Sequence, residues 1–452
     1  MTTNGSAAAR ELAAQVDPDR VLVSGPAYED ACRIWNGAVD HRPALIVQAR
    51  TVAEVQAAVR AARKHDLPLS VRGGGHDWAG RALRSGGLVI DLTRMRHVEV
   101  DGAERIATVA GGATAGDVIA GAAPHGLVAA TGTVGGVGLA GLTLAGGYGP
   151  LNGRFGLALD NLLGADLVLA DGRLVTTDAT HEPELYWAIR GGGGNFGVVT
   201  SMRVRLHPVP QLLAGLILFP WDQAPDVWRG LGEVLAGAPD ELTVQSGVVS
   251  GPDGSPVMFL SPAWSGEDLR TGEKAIDELQ RLGTAVLSQV APMTYGEMLG
   301  LFDSHVVSGR HYAIRTRTVA GYTPDVVAAL VDGVSTRTSP NAGIALHHAH
   351  GATTRVAAEA TAFGLRRDHF VVEIISGWEP DSDATAHQAW TDNLSAALAP
   401  HALPGGYANL LGPDDHDQIT HAYGQNATRL LAAKAHFDPN GIFSATPLPD
   451  RP

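Results

Sequence analysis

Three glycine-rich stretches between Gly73 and Val199 constrain the fold of this chain more than any other feature. The first is Arg72-Gly73-Gly74-Gly75-His76-Asp77-Trp78, directly after the strand-like run Leu67 to Val71. Glycines at a strand end let the backbone approach a bulky ligand and turn several N–H groups toward it. His76 then stands at the ligand's edge. This suits a cofactor carrying a pyrophosphate, with His76 placed to be bonded to it. The second stretch runs from Gly132 to Gly149 and includes Gly135, Gly136, Gly138, Gly141, Leu142, Thr143 and Gly147. The third, Gly191 to Val199, includes Gly197 and Val198 and feeds a strand. Plain turns do not need three such loops; one large flat ligand touched by all three accounts for them.

Gly136-Val137-Gly138-Leu139-Ala140-Gly141 matches the dinucleotide fingerprint, with an acidic residue, Asp160, about 20 residues on. That fold needs a long helix after the third glycine. Here Gly146-Gly147-Tyr148-Gly149-Pro150 ends any helix within two turns, so a nicotinamide dinucleotide unit is rejected.

The chain has 452 residues, enough for two domains, and its 45% apolar and 18% charged content is that of an ordinary globular protein. A net charge of −14 argues against nucleic acid or an anionic membrane as partner. The single cysteine, Cys32, excludes an internal disulfide and any cysteine-based metal site. Met1 to Val16 lacks a cationic start followed by an apolar core, and apolar runs break well before ~20 residues. No membrane span and a cytoplasmic location are therefore expected. Nothing in the sequence sets an oligomeric state.

Along the chain, Ala44 to Gln48, Val52 to His65 and Leu67 to Val71 read as a β-α-β unit leading into the first glycine turn. Leu88 to Leu92, Ala107 to Val109, Leu163 to Leu169, Leu174 to Thr177 and Val198 to Leu206 read as strands. Ala115 to His125 and Glu184 to Arg190 read as short helices. From Leu212 to about Pro404 strand-like pieces alternate with helical ones as one α/β layer. The tail contains a helix from Asp417 to His436.

At this point the chain resembles the FAD-linked oxidases of the vanillyl-alcohol-oxidase superfamily, and most of all the branch of berberine-bridge-like and 6-hydroxynicotine-oxidase-like enzymes. The resemblance rests on Arg72-Gly73-Gly74-Gly75-His76, Gly138 to Gly149, Gly156 to Leu162, Trp187 to Gly197 and Tyr407-Ala408-Asn409. It implies an α+β protein: a two-subdomain FAD-binding domain (residues 1–210, divided near 100), a substrate domain with an antiparallel sheet covered by helices (211–404), and a C-terminal segment (405–452) returning to the first domain. It implies FAD bonded through the 8α-carbon to His76, with Arg72, Gly73, Gly74, Gly75, Asp77, Trp78, Gly135, Gly136, Gly138, Gly141, Leu142, Thr143, Gly147, Gly197, Val198 and Asn409 at the cofactor. Many relatives add a cysteinyl link; the matching position here is Val134, so a single link is expected. Asp77 and Phe443 to Pro447 also depart from the family pattern.

The reaction class that the resemblance implies needs a base near the substrate. Tyr407 and Asn409, two apart, share a face if extended, and Tyr407 is the first candidate for base or substrate orienter. Leu346-His347-His348-Ala349-His350 is the second: on a strand His348 and His350 share a face and His347 takes the other, and histidine suits proton transfer near neutral pH. A strand offers only two of these histidines to one site, so no metal is expected. Tyr148 is a candidate lining residue. The expected activity is oxidation of a small organic substrate with oxygen as acceptor. The rival readings are a covalent-flavin oxygenase on a polyketide-like substrate and a non-catalytic flavin protein.

Overall fold

The computed structural model describes residues 3–450. Its strands fall into three sheets in chain order. The first sheet holds β1 (Val21–Leu22), β2 (Leu45–Gln48), β3 (Leu69–Arg72) and β4 (Leu88–Asp91) in the order β1-β2-β4-β3. The helix Val52–Lys64 crosses from β2 to β3; Thr51 caps it by accepting the Glu54 N–H at 3.3 Å. β2 and β3 are not neighbours, because the fully buried β4 pairs in parallel with both. The sequence predicts the unit but not that insertion. The apolar face of the helix, Val55, Ala58, Val59 and Ala62, is buried against this sheet.

The second sheet contains β5 (Val98–Asp101), β6 (Ile106–Ala110), β7 (Leu127–Ala129), β8 (Leu162–Val168), β9 (Leu174–Asp178) and the long β10 (Val198–Pro208). β10 pairs with β6, β7 and β8. The second glycine stretch leaves this layer through the seven-residue helix Leu139–Ala145, which stops at Gly146 with φ +155°.

The third sheet has seven strands: β11 (Leu212–Pro220), β12 (Leu242–Ser250), β13 (Pro256–Trp264), β14 (Leu287–Met293), β15 (His311–Val319), β16 (Gly343–Ala349) and β17 (His369–Trp378). All its pairings are antiparallel, in the order β14-β11-β13-β12-β16-β17-β15. One face packs on the helices Ala224–Ala236, Leu269–Gln280, Pro324–Ser335 and Ala384–Leu398 through a core that includes Trp228, Leu330, Ile344, Leu346, Val372 and Leu394. Its other face looks toward the glycine loops.

The tail differs from the reading of one helix over 417–436. It forms His416–His421 and Ala427–Phe437, separated at Gly424 (φ +49°) by a single 3-10 turn. From the second of these helices Lys434 Nζ donates to the Asn195 carbonyl at 2.7 Å, and beyond it Phe443 joins the core of the first sheet. The chain end thus returns to the part of the molecule where the chain begins.

Candidate active site

A cavity of about 920 Å³ runs between the glycine loops and the open face of the third sheet. On the loop side Gly73, Gly74, Gly75, His76, Asp77, Trp78, Gly138, Gly141, Leu142 and Gly197 line it. A Cβ on Gly74 would lie 2.4 Å from the Gly138 nitrogen, so the first two loops are in backbone contact and only glycine fits there. Gly75 sits at φ +71°. The Ser70 hydroxyl, on a residue of the same wall, is buried without a hydrogen-bond partner. Bare backbone on three loops and an orphaned hydroxyl fit a large ligand with polar oxygens, and FAD has that chemistry.

Several expected residues stand behind this wall. The Arg72 guanidinium turns away and donates to the Ala31 carbonyl at 2.7 Å. Gly135 accepts the Gly116 N–H at 2.8 Å, Val198 is core, and Thr143 is buried with its hydroxyl unpaired. Gly136 and Gly147 also lie outside the lining, although Gly147 donates its N–H into the site.

The His76 ring stacks on Trp35 at 4.4 Å, and Trp35 stacks on Tyr312 of β15 at 4.1 Å. Burial lowers the pKa of His76, which favours the neutral imidazole with a free lone pair. Asp77 pairs with Arg81 at 2.7 Å, and Arg81 donates in turn to the Asn409 carbonyl at 2.7 Å. The C-terminal segment is thereby tied to the histidine loop. Sequence reading missed Trp35, Arg81 and Tyr312, since nothing local marks an aromatic or an arginine as a neighbour of His76.

Tyr407 and Asn409 do not lie on a strand. They occupy a turn in which Tyr407 O accepts the N–H groups of Leu410 and Leu411 at 2.8 and 3.2 Å. The pair meets all the same: the Tyr407 hydroxyl accepts from Asn409 Nδ2 at 2.8 Å and from the Gly147 N–H at 3.0 Å. Burial pushes the Tyr407 phenol up to about 12. Tyr148 also borders the cavity, edge-on to Tyr407 at 4.9 Å. Its hydroxyl donates to His369 Nε2 at 2.8 Å, because His369 Nδ1–H is committed to the Arg367 carbonyl at 2.6 Å.

On the sheet side, β16 alternates as expected but with the opposite outcome. His347 faces the cavity, whereas His348 and His350 are buried away from it, stacked on each other at 4.4 Å. Leu346 commits its side of the strand to the helix-covered core, and His348 stacks on Phe370 of that core. Register then brings a residue that sequence reading missed. β17 pairs Ala345 with Glu373 and His347 with Val371, which puts Glu373 on the cavity face, 3.2 Å from His347 Nε2. Among the described residues no cluster of three or more His, Cys, Asp or Glu is placed to hold a metal ion.

Residues 43–178 match the family model described as an FAD binding domain. The chain is 30% identical over 426 residues to the FAD-linked oxidoreductase aurO of Gibberella zeae, covering 93% of this chain and 83% of that protein. The crystal structure of 6-hydroxy-D-nicotine oxidase from Arthrobacter nicotinovorans superposes with a TM-score of 0.86 at 29% identity, over 95% of this chain and 97% of that one. The Physcomitrella patens protein BBE-like 1 shares the fold, with a TM-score of 0.88 at 22% identity and full coverage of both chains, 100% each.

Proposed function

The chain belongs to the FAD-linked oxidoreductases of the vanillyl-alcohol-oxidase superfamily, in the berberine-bridge-enzyme-like branch, and from that premise we propose that it is an oxidase of apolar, ring-bearing alcohols or amines that holds FAD by one covalent bond to His76. One observation carries this reading. A single cavity joins a glycine-walled cradle edged by His76 to a chamber that Glu373, His347 and Tyr407 help to line. FAD, when bound, supplies the hydride acceptor and passes the electrons to oxygen, giving hydrogen peroxide.

Burial favours the neutral form of His76 and Trp35 stacks on its ring, which suits attachment through a ring nitrogen. Val134 stands where a second, cysteinyl link would need sulfur, so the link is single. The chamber wall carries Val249, Phe259, Phe302, Ile314, Val371 and Ile375. These side chains match the faces of a ring system, while Gln245, Ser250, Asp253, Arg310 and Asn341 of the same cavity offer partners to its polar substituents. Glu373 takes the proton from the substrate O–H or N–H, and His347 shares it. Tyr407 works the other way. Its oxygen already accepts two hydrogen bonds, so its own O–H is left to donate to the substrate heteroatom.

Acid precipitation and intact mass of the wild type and His76→Ala test the cofactor reading. Colour that stays with the denatured wild-type chain, with one FAD of added mass lost in the variant, is the expected result; colour released from the wild type overturns the covalent link. Oxygen uptake against a panel of aromatic alcohols, cyclic amines and oligosaccharides tests the rest. Peroxide should match substrate consumed with the ring compounds, and preferred turnover of oligosaccharides would sink the substrate assignment.

A further inference from the structure

Trp35, Asn36 and Gly37 precede β2 and join the His76 loop to β15, an edge strand of the third sheet. Toward the loop, the Trp35 N–H donates to the Gly75 carbonyl at 2.9 Å, and Asn36 Nδ2 donates to the Trp78 carbonyl at 2.7 Å. Toward the sheet, the Gly309 N–H donates to the Trp35 carbonyl at 2.8 Å, and the Gly37 N–H to the Arg310 carbonyl at 2.9 Å. Asn36 is buried, and its amide pairs with both backbone groups of Tyr312: Oδ1 accepts the N–H at 2.9 Å and Nδ2 donates to the carbonyl at 3.0 Å. An edge strand leaves such groups unpaired; here one side-chain amide takes the place of a neighbouring strand. A Cβ on Gly37 would lie 2.1 Å from the Gly309 carbonyl oxygen, so only glycine allows this approach.

The same clasp stacks aromatic rings. Trp35 stacks on His76 at 4.4 Å and 14°, and on Tyr312 at 4.1 Å and 11°. Stacking uses the faces of a ring and leaves its edge free. The bonding lone pair of an imidazole nitrogen lies at that edge, in the ring plane. The direction in which His76 can bond is therefore set by Trp35, and the plane of Trp35 is set in turn by a residue of the third sheet.

We propose that Trp35 is a positioning residue for the bond between His76 and FAD, and that the Asn36 clasp makes formation of that bond depend on the third sheet being docked on the glycine loops. The inference rests on the covalent link proposed above. Forming the link joins an imidazole nitrogen to the flavin 8α-carbon. The imidazole N–H and one 8α C–H bond break; the C–H electron pair and the two protons pass to the flavin ring. Oxygen then takes both electrons and both protons, giving hydrogen peroxide and the oxidised cofactor. Burial favours the neutral His76 ring, which keeps a lone pair for the new bond. Trp35 supplies aim, and a reacting atom misplaced by about 1 Å can cost about 10²-fold in rate. A chain whose third sheet has not docked lacks both the Tyr312 ring and the Asn36 bonds to β15, so attachment waits until the chamber is assembled.

The full chain, purified from flavin-starved cells and supplied with FAD in air, tests this by the rate at which intact mass rises by one FAD. Bound FAD and melting temperature are read in parallel. Trp35→Leu and Tyr312→Leu should attach FAD about ten- to a hundredfold more slowly than the wild type while binding as much of it. Trp35→Phe, which keeps a stacking ring, should attach at close to the wild-type rate. Asn36→Ala, which removes neither ring, should also slow attachment. Wild-type rates in both leucine variants, or a Trp35→Phe as slow as Trp35→Leu, overturn the positioning role. A wild-type rate in Asn36→Ala overturns the clasp. Loss of bound FAD and of melting temperature in step with attachment would show that the rings only support the fold, which also overturns the proposal. A wild type that gains no FAD mass overturns the covalent link itself and this inference with it, whereas failure of the variant comparison alone leaves the link standing.

Discussion

Tyr407 and Glu373 both line the chamber, one on a turn of the C-terminal segment and the other on β17. Removing the proposed base, Glu373, should cost chemistry and spare binding. Glu373→Gln is expected to lower the rate of flavin reduction by about 10²–10⁴-fold while flavin content stays at the wild-type level; stopped-flow reduction of the purified variant checks this, and a near-wild-type rate would remove Glu373 from the proton path. Tyr407→Phe deletes the acceptor of the Gly147 N–H and of Asn409, so it should both slow reduction and lower stability by about 1–3 kcal/mol. At this scale His76 was legible because a histidine behind three glycines is a local signal. Glu373 was not: within Val371-Val372-Glu373-Ile374-Ile375 a carboxylate reads as a solvent-facing residue, and only pairing with Ala345 reveals where it faces. The histidine run shows the same limit. Period two set which histidines share a face, but which face meets the chamber depends on the strands beside it.

Among the elements, the glycine loops make the sharpest contrast. Gly74 and Gly136 lie in facing loops with ordinary negative-region backbone, yet only one has room for a methyl group. A Cβ on Gly74 would meet Gly138 backbone at 2.4 Å, whereas a Cβ on Gly136 meets nothing within 4 Å. Gly74→Ala should therefore separate the two loops, reduce bound flavin and cost about 1–3 kcal/mol. Gly136→Ala should keep both flavin content and melting temperature. Equal behaviour of the two variants, read by absorbance ratio and thermal melting, would contradict the backbone contact. The alternating and helical runs around these loops were readable from sequence because each buries one face. β14 was not, since its edge position leaves it half exposed and without alternation. Nor was the break in the tail helix, where Gly424 adopts φ +49° inside an otherwise helical pattern.

For the whole molecule, burial of titratable groups makes stability depend on pH in a definite window. His207, His350 and His369 are each held at about 4 by burial, against an ordinary value of 6.5. Above about pH 7 all three rings are neutral whether the chain is folded or not, and the shifts contribute nothing to the pH slope. As pH falls through 6.5 the unfolded chain takes up protons that the folded chain refuses. Stability therefore drops, by about 1.4 kcal/mol per pH unit for each ring. The loss from these rings stops near pH 4, where the folded rings charge as well. Carboxylates with lowered values, such as Asp117 beside Arg96, act in a separate and more acid window. The expected result is a melting temperature that is flat above neutrality and falls steadily from pH 6.5 toward 4, measured by calorimetry on the flavin-loaded protein. His207→Gln, which keeps a hydrogen-bonding group opposite Asn161, should flatten that slope by the share of one ring. A melting temperature insensitive to pH over this interval would mean that the rings are reached by water and protonate in place.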